Sequence, residues 1–142
     1  MLGNFSFGGY WKEEAIKYAY EFITEDMRLD IDYVTVFEGE TGVPEDKESE
    51  EIWKSINPDI VVKKFSRADN FWGPTGEEWP CGPTTEIYVN GIEIWNIVFN
   101  EFYQNKDKTL RLLDIKGIDT GMGLERLAMV SQNVSNIFDT DL

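Results

Sequence analysis

Histidine is absent from this chain, and cysteine occurs once, as Cys81. The first absence excludes a His-based zinc site and any Ser-His or Cys-His nucleophile within the chain. The second excludes an internal disulfide and fits a reducing compartment. Basic residues are scarce: 13 Lys and Arg stand against 27 Asp and Glu, a net charge of −14. Holding a polynucleotide draws on Lys and Arg, so this segment is not expected to grip nucleic acid by itself. Acidic excess of this kind ordinarily keeps a chain soluble. No apolar run is long enough to span a membrane, and no signal-peptide pattern opens the sequence. With no targeting signal, no membrane association and a cytoplasmic location are expected. Internal repeats, low-complexity tracts and domain linkers are also missing.

What is present suits one domain or part of one. Hydrophobic residues make up 42% of the 142 and aromatics 14%, enough for a sizeable core. Trp11, Ala15, Tyr18, Ala19, Phe22 and Ile23 recur at helical spacing and predict an amphipathic helix over about 11–25. Tyr33 to Phe37 reads as a strand. The acidic stretch Glu38 to Ser49 reads as a solvated loop entering a helix that ends near Ile56. Ile60 to Phe65 reads as a second strand, and Ser66 to Pro83 as a long loop of the functional kind. Asn90-Gly91 between two apolar runs predicts a hairpin of Thr84–Val89 with Ile92–Phe99, the second strand continuing to Phe102. A turn at Asn105 to Lys108 and a strand at Leu110 to Leu113 follow. The expected class is α+β, an antiparallel sheet with helices packed beside it.

The densest local pattern is Asp119-Thr-Gly-Met-Gly-Leu-Glu-Arg126, which reads as a turn after a strand opening a helix from Met122. Glycines allow close backbone approach to a ligand, and an Arg one turn into the helix can point back at it. Asp119 and Arg126 offer both charges, which suits a zwitterion and a phosphate together. Alone, the run is better read as a tight turn with a helix-capping Asp119 and a surface Glu125–Arg126 pair.

Its company changes the odds. Met1-Leu-Gly-Asn-Phe-Ser-Phe-Gly8, Asp69-Asn-Phe-Trp72, Pro80-Cys-Gly-Pro83 with Glu86-Ile87, Glu93-Ile-Trp-Asn-Ile-Val-Phe99 and Asp139-Thr-Asp-Leu142 accompany it in fixed order. Over nearly its whole length the chain resembles the catalytic domain of class II alanyl-tRNA synthetases, from within motif 2 through motif 3. The resemblance implies ATP-dependent activation of alanine and its transfer to tRNA(Ala). It implies that Asp119 binds the amino group of alanine, that Trp72 and Val98 wall the alanine pocket, that Asn96 lies near the bound amino acid, and that Gly121 and Gly123 let the backbone approach the substrates. It implies that Arg126 contacts ATP. Core packing is the ordinary reading of Trp72 and Val98. Asn96 interrupts an apolar run, where an amide needs a partner to offset its desolvation. Glu86 and Glu93 are candidate Mg²⁺ ligands through oxygen, with a solvent-facing charged pair as the equal alternative. No zinc is expected in this segment. Cys81 has no base at hand in sequence and reads as a small apolar packing group.

Against the family's pattern, Gly9 stands where aspartate is usual, Thr84 replaces a second cysteine, and the Val89–Ile92 connection is short. Met1 aligns inside motif 2. Motif 1, the motif 2 arginine and the adenine-stacking aromatic are therefore expected outside these residues, as are the editing and tRNA-recognition domains. The chain is read as residues 1–142 of a partial catalytic domain, meeting tRNA mainly through regions it lacks and showing little adenylation until a complementary fragment restores motif 2. Self-association is expected from uncovered apolar surface. The alternatives are a non-catalytic synthetase-derived binding or partner-interaction domain, and an unrelated acidic domain whose aromatic faces bind a protein.

Overall fold

Two-residue alternation along the central strands separates an apolar face from a polar one, and this separation organises the molecule. The computed structural model describes residues 1–142. Its strands are β1 (Ser6–Phe7), β2 (Tyr33–Phe37), β3 (Val62–Phe65), β4 (Phe71–Trp72), β5 (Trp79–Val89), β6 (Ile92–Gln104) and β7 (Leu110–Met122). Its helices are α1 (Lys12–Glu21), α2 (Lys47–Ile56), the single turn α3 (Arg67–Asn70) and α4 (Leu124–Ser131). α1 runs on into a wider π turn at Phe22–Asp26.

The strands form one sheet in the order β1-β7-β6-β5-β2-β3, with β4 paired to β5. It is an α+β architecture, antiparallel throughout except for β2 and β3. Those two run parallel because α2 lies between them in the chain and carries it back to the starting edge. The row Val34–Ile87–Trp95–Met122 crosses four strands on one face. That face packs with Ala15, Ile16, Ala19, Trp53 and Leu127 from the helices into the main core. Trp53 is fully buried, and its Nε1–H donates to Thr85 Oγ1 at 2.9 Å, so its one polar atom is satisfied. No helix is long and apolar enough to cross a membrane.

The helix and strand expected over 11–37 form nearly where the pattern places them. The β5–β6 hairpin turns on Asn90 and Gly91, both with positive φ, as a type I′ geometry demands. Three expectations are corrected. The stretch 66–83 is not one loop: Ser66 caps α3 by accepting from the Ala68 N–H, β4 follows, and β5 begins at Trp79. Pairing with β6 on one side and β4 on the other overrides the proline and glycine signals there. At Gly82 an added Cβ would lie 1.8 Å from the Phe99 carbonyl oxygen, so β5 approaches β6 there more closely than any side chain permits. The other two lie further along: β7 does not stop at Leu113 but continues through Asp119 to Met122, and α4 starts at Leu124 instead of Met122.

Candidate active site

Because β7 continues, Asp119 and Gly121 are strand residues on the polar face. Val98 pairs with both Thr84 and Asp119, and Asn96 pairs with both Glu86 and Gly121. Cross-strand partners point to the same side, so these residues share one surface. β4 brings Trp72 to Gly82 at its margin. Trp72, Glu93, Asn96, Val98, Asp119 and Gly121 line a concavity of about 250 Å³, with Met1 and Thr120 completing its wall. Gly121 serves through space rather than through an unusual backbone: an added Cβ would lie 3.1 Å from Met1 Sδ. Thr120 ties the first segment to β7, accepting from the Asn4 N–H at 2.8 Å.

Asp119 is half-buried and has no cation within ion-pair distance and no side-chain hydrogen bond. Asn96 Oδ1 is buried without a hydrogen-bond partner. Such an atom in a native fold calls for an explanation, and an amide with no partner on that end can turn about χ2 toward the concavity. A carboxylate and an amide oxygen between apolar walls suit a small ligand with an ammonium group.

Arg126, Gly123 and Glu86 do not line the concavity but adjoin it. Arg126 does not pair with Glu125. Its Nη1 donates to Glu93 Oε2 at 2.7 Å and to the Glu93 main-chain oxygen at 2.9 Å. Gly123 is the residue before α4, with an ordinary φ of −73°. Asp119 is therefore not the helix cap. The two candidate metal carboxylates are not directly opposed: Glu86 faces Asn96, and Glu93 faces Tyr88 across a register shift.

Glu86 belongs to a buried polar network that sequence reading did not reveal. Tyr88 OH donates to Glu86 Oε2 at 3.0 Å, Thr35 Oγ1 donates to the same oxygen at 3.3 Å, and Asn70 Nδ2 donates to Thr35 Oγ1 at 2.7 Å. The available signal was the polar alternation of Thr84 and Glu86 within an apolar strand. Burial is the main cause holding the Glu86 carboxyl above its ordinary 4.5; the Tyr88 hydrogen bond opposes this and the Glu93 charge adds to it. A carboxyl whose folded pKa is raised stabilises the fold fully below the unfolded value, and that contribution is lost as pH rises through the folded value. Glu86→Gln keeps an acceptor for Tyr88 and Thr35 without the charge. The variant should gain stability over the wild type at pH 7–8 and lose that advantage toward pH 4.5, read from urea midpoints across this range. Parallel pH profiles for the two proteins would contradict this account.

Cys81 is fully buried beside Phe37, Val43 and Phe71. Burial pushes its thiol up, which is the environment of an inert packing group. A larger concavity of about 490 Å³ lies against Lys12, Asp46 and Glu101. Most of its charges are already paired: Lys12 with Asp46 at 2.6 Å, and Glu101 with Lys116, which lies outside the lining, at 3.0 Å.

A family model described as "tRNA synthetases class II (A)" matches residues 1–142. The alanine–tRNA ligase of Rubrobacter xylanophilus is 40% identical over 171 residues, covering 100% of this chain and 19% of that protein. The alanine–tRNA ligase of Borreliella afzelii is 40% identical over 164 residues, covering 99% of this chain and 28% of its own length. The cytoplasmic alanine–tRNA ligase of Dictyostelium discoideum is 43% identical over 163 residues, covering 100% and 17%. The chain thus spans between 17% and 28% of the length of these relatives.

Proposed function

This chain belongs to the class II (A) tRNA synthetases, and on that premise we propose that it forms the alanine-binding part of an alanine–tRNA ligase catalytic core. The observation that carries the reading is the gathering of Trp72, Asn96, Val98, Gly121 and an uncompensated Asp119 around one small concavity. Asp119 accepts from the ammonium of alanine in a charge-assisted hydrogen bond. Trp72 and Val98 are the apolar walls against which the alanine methyl group would pack. Such walls exclude large side chains but reject glycine weakly, because one methyl is worth about 1–3 kcal/mol.

The reaction of the family needs no histidine. The alanine carboxylate, already ionised, attacks the α-phosphorus of ATP; the P–O bond to pyrophosphate breaks and alanyl-adenylate forms. A terminal ribose hydroxyl of tRNA(Ala) then attacks the acyl carbon and AMP leaves. Positioning and charge neutralisation supply most of the rate in such transfers. Arg126 contributes the positive charge for ATP, and Gly123 leaves the backbone beside it open. Glu86 and Glu93 are neighbouring oxygen donors, the chemistry Mg²⁺ takes from one or two carboxylates together with substrate phosphates. Oε2 of Glu86 is taken by Tyr88 and Thr35 and Oε2 of Glu93 by Arg126, so they would hold the ion through their remaining oxygens, and the ion would neutralise phosphate charge. Cytoplasmic location accords with this role.

The test is calorimetric titration of this chain with a non-hydrolysable alanyl-adenylate analogue, beside the glycyl and leucyl analogues. Saturable binding of the alanyl form, with the glycyl form weaker by roughly 5- to 150-fold and the leucyl form silent, is expected. Equal binding of the leucyl form would overturn the reading.

A further inference from the structure

Arg126 is held on one side only. Its Nη1 donates to both the main-chain oxygen and Oε2 of Glu93, at 2.9 and 2.7 Å. Its stem rests on Gly123, where an added Cβ would lie 3.4 Å from both Cγ and Cδ. The Gly123 N–H donates to the Ile94 carbonyl at 3.2 Å, so the start of α4 is tied to the strand that carries Glu93. A guanidinium has five N–H donors. The two bonds to Glu93 engage Nη1, which leaves Nε and Nη2. Those two nitrogens form the side-on edge, whose spacing matches two oxygens of one phosphate.

The pair is poorly placed to stabilise the fold. The Arg126 and Glu93 side chains are 49% and 32% exposed, and ion pairs at such positions are screened by water. What the contact can deliver is orientation. A long, rotamer-rich side chain that is fixed before its ligand arrives loses less freedom on binding.

We infer that Glu93 is a positioning residue for Arg126, gripping Nη1 so that the Nε–Nη2 edge is offered to a phosphate of the bound nucleotide. This rests on the function proposed above and assigns that site a role beyond its alanine pocket. Glu93 also lines the concavity around Asp119. One residue thus borders the amino acid and aims the cation that meets the nucleotide.

Two measurements on the whole chain test this, with Glu93→Ala, Glu93→Gln and Arg126→Lys beside the wild type. Nitrogen-resolved NMR of the Arg126 guanidinium should show two distinct Nη environments in the wild type. They should exchange faster in Glu93→Ala, which keeps only the main-chain oxygen, and stay as distinct as in the wild type in Glu93→Gln, which keeps a side-chain acceptor as well. Calorimetry with ATP in magnesium-free buffer should give binding three- to tenfold weaker for Glu93→Ala, within twofold for Glu93→Gln, and weakened for Arg126→Lys, which lacks the fork. Melting temperatures should differ little, separating aim from stability. An averaged wild-type signal, Glu93→Ala exchange as slow as in the wild type, or ATP binding by Glu93→Ala as tight as wild type would overturn the inference. If the wild type binds no ATP at all, it is the nucleotide-binding reading that fails, and the guanidinium spectra alone decide whether Glu93 positions Arg126.

Discussion

Replacing Asp119 with alanine is expected to weaken binding of the alanyl-adenylate analogue by roughly 100-fold or more and to leave the melting temperature almost unchanged. The two halves of this expectation have separate causes. In the free protein Asp119 makes no ion pair and no side-chain hydrogen bond, so its removal costs the fold nothing that the structure records. Of the two carboxylates lining the concavity, Glu93 is paired with Arg126, and Asp119 is the one left to meet an ammonium. A hydrogen bond to a charged group is worth about 1.5–3 kcal/mol, and stranding the ammonium in a half-buried pocket adds its desolvation. About 2.8 kcal/mol corresponds to a factor of 100. Asp119→Asn should lose most of the same binding, because the shape remains and the charge does not. Titration calorimetry beside thermal melting reads both halves. A large fall in melting temperature with binding intact would mark Asp119 as a structural residue instead.

The second large effect lies far from that pocket. Asp46→Ala should cost about 3–5 kcal/mol of folding stability, a large part of the 5–15 kcal/mol that domains possess. The Lys12 side chain is only 4% exposed and its ammonium lies 2.6 Å from Asp46 Oδ1. Without Asp46, Lys12 keeps Glu48 at 3.4 Å, whose side chain is 57% exposed, and the rings of Phe99 at 5.0 Å and Trp11 at 5.9 Å. Asp46 also caps α2, accepting from the Ser49 N–H at 3.2 Å and from Ser49 Oγ at 2.7 Å. Loss of such a cap alone costs about 0.5–2 kcal/mol. Adding Lys12→Met should recover much of the loss, since it removes the stranded charge and keeps the apolar stem. Urea unfolding of the single and double variants gives the comparison. A loss under about 1 kcal/mol for Asp46→Ala would show that water reaches Lys12.

Much of this was legible in the sequence, and what was not has identifiable reasons. Helical periodicity placed α1, and Asn90-Gly91 placed the hairpin, because both signals are local. The family resemblance named Trp72, Asn96, Val98, Asp119 and Gly121, and the structure brings all five to one concavity. The course of the chain around them was less visible. Pro80, Gly82 and Pro83 look like loop residues, yet they lie in β5, whose strand state is imposed by β4 and β6 rather than by propensity. Gly117 and Gly121 likewise disguised the length of β7, since glycine weakens a strand signal without preventing pairing. The partner of Arg126 was the least legible feature. Glu93 lies 33 positions earlier in the chain, and only the sheet register brings the two together.

The alternation that sorts these strands also limits how their lengths can change. Asn96 and Val98 face the concavity while Ile97, between them, is fully buried in the core; Asp119 faces the concavity while Ile118 beside it is buried. One residue inserted or deleted within β6 or β7 would exchange these roles, turning isoleucine toward the ligand and a carboxylate toward the helices. Pocket and core are thus two readings of one strand, separated by a single residue of phase. A change of length in these strands is expected to be tolerated only where phase can be lost without harm, at the Asn90-Gly91 tip and the turn at Asn105 to Lys108.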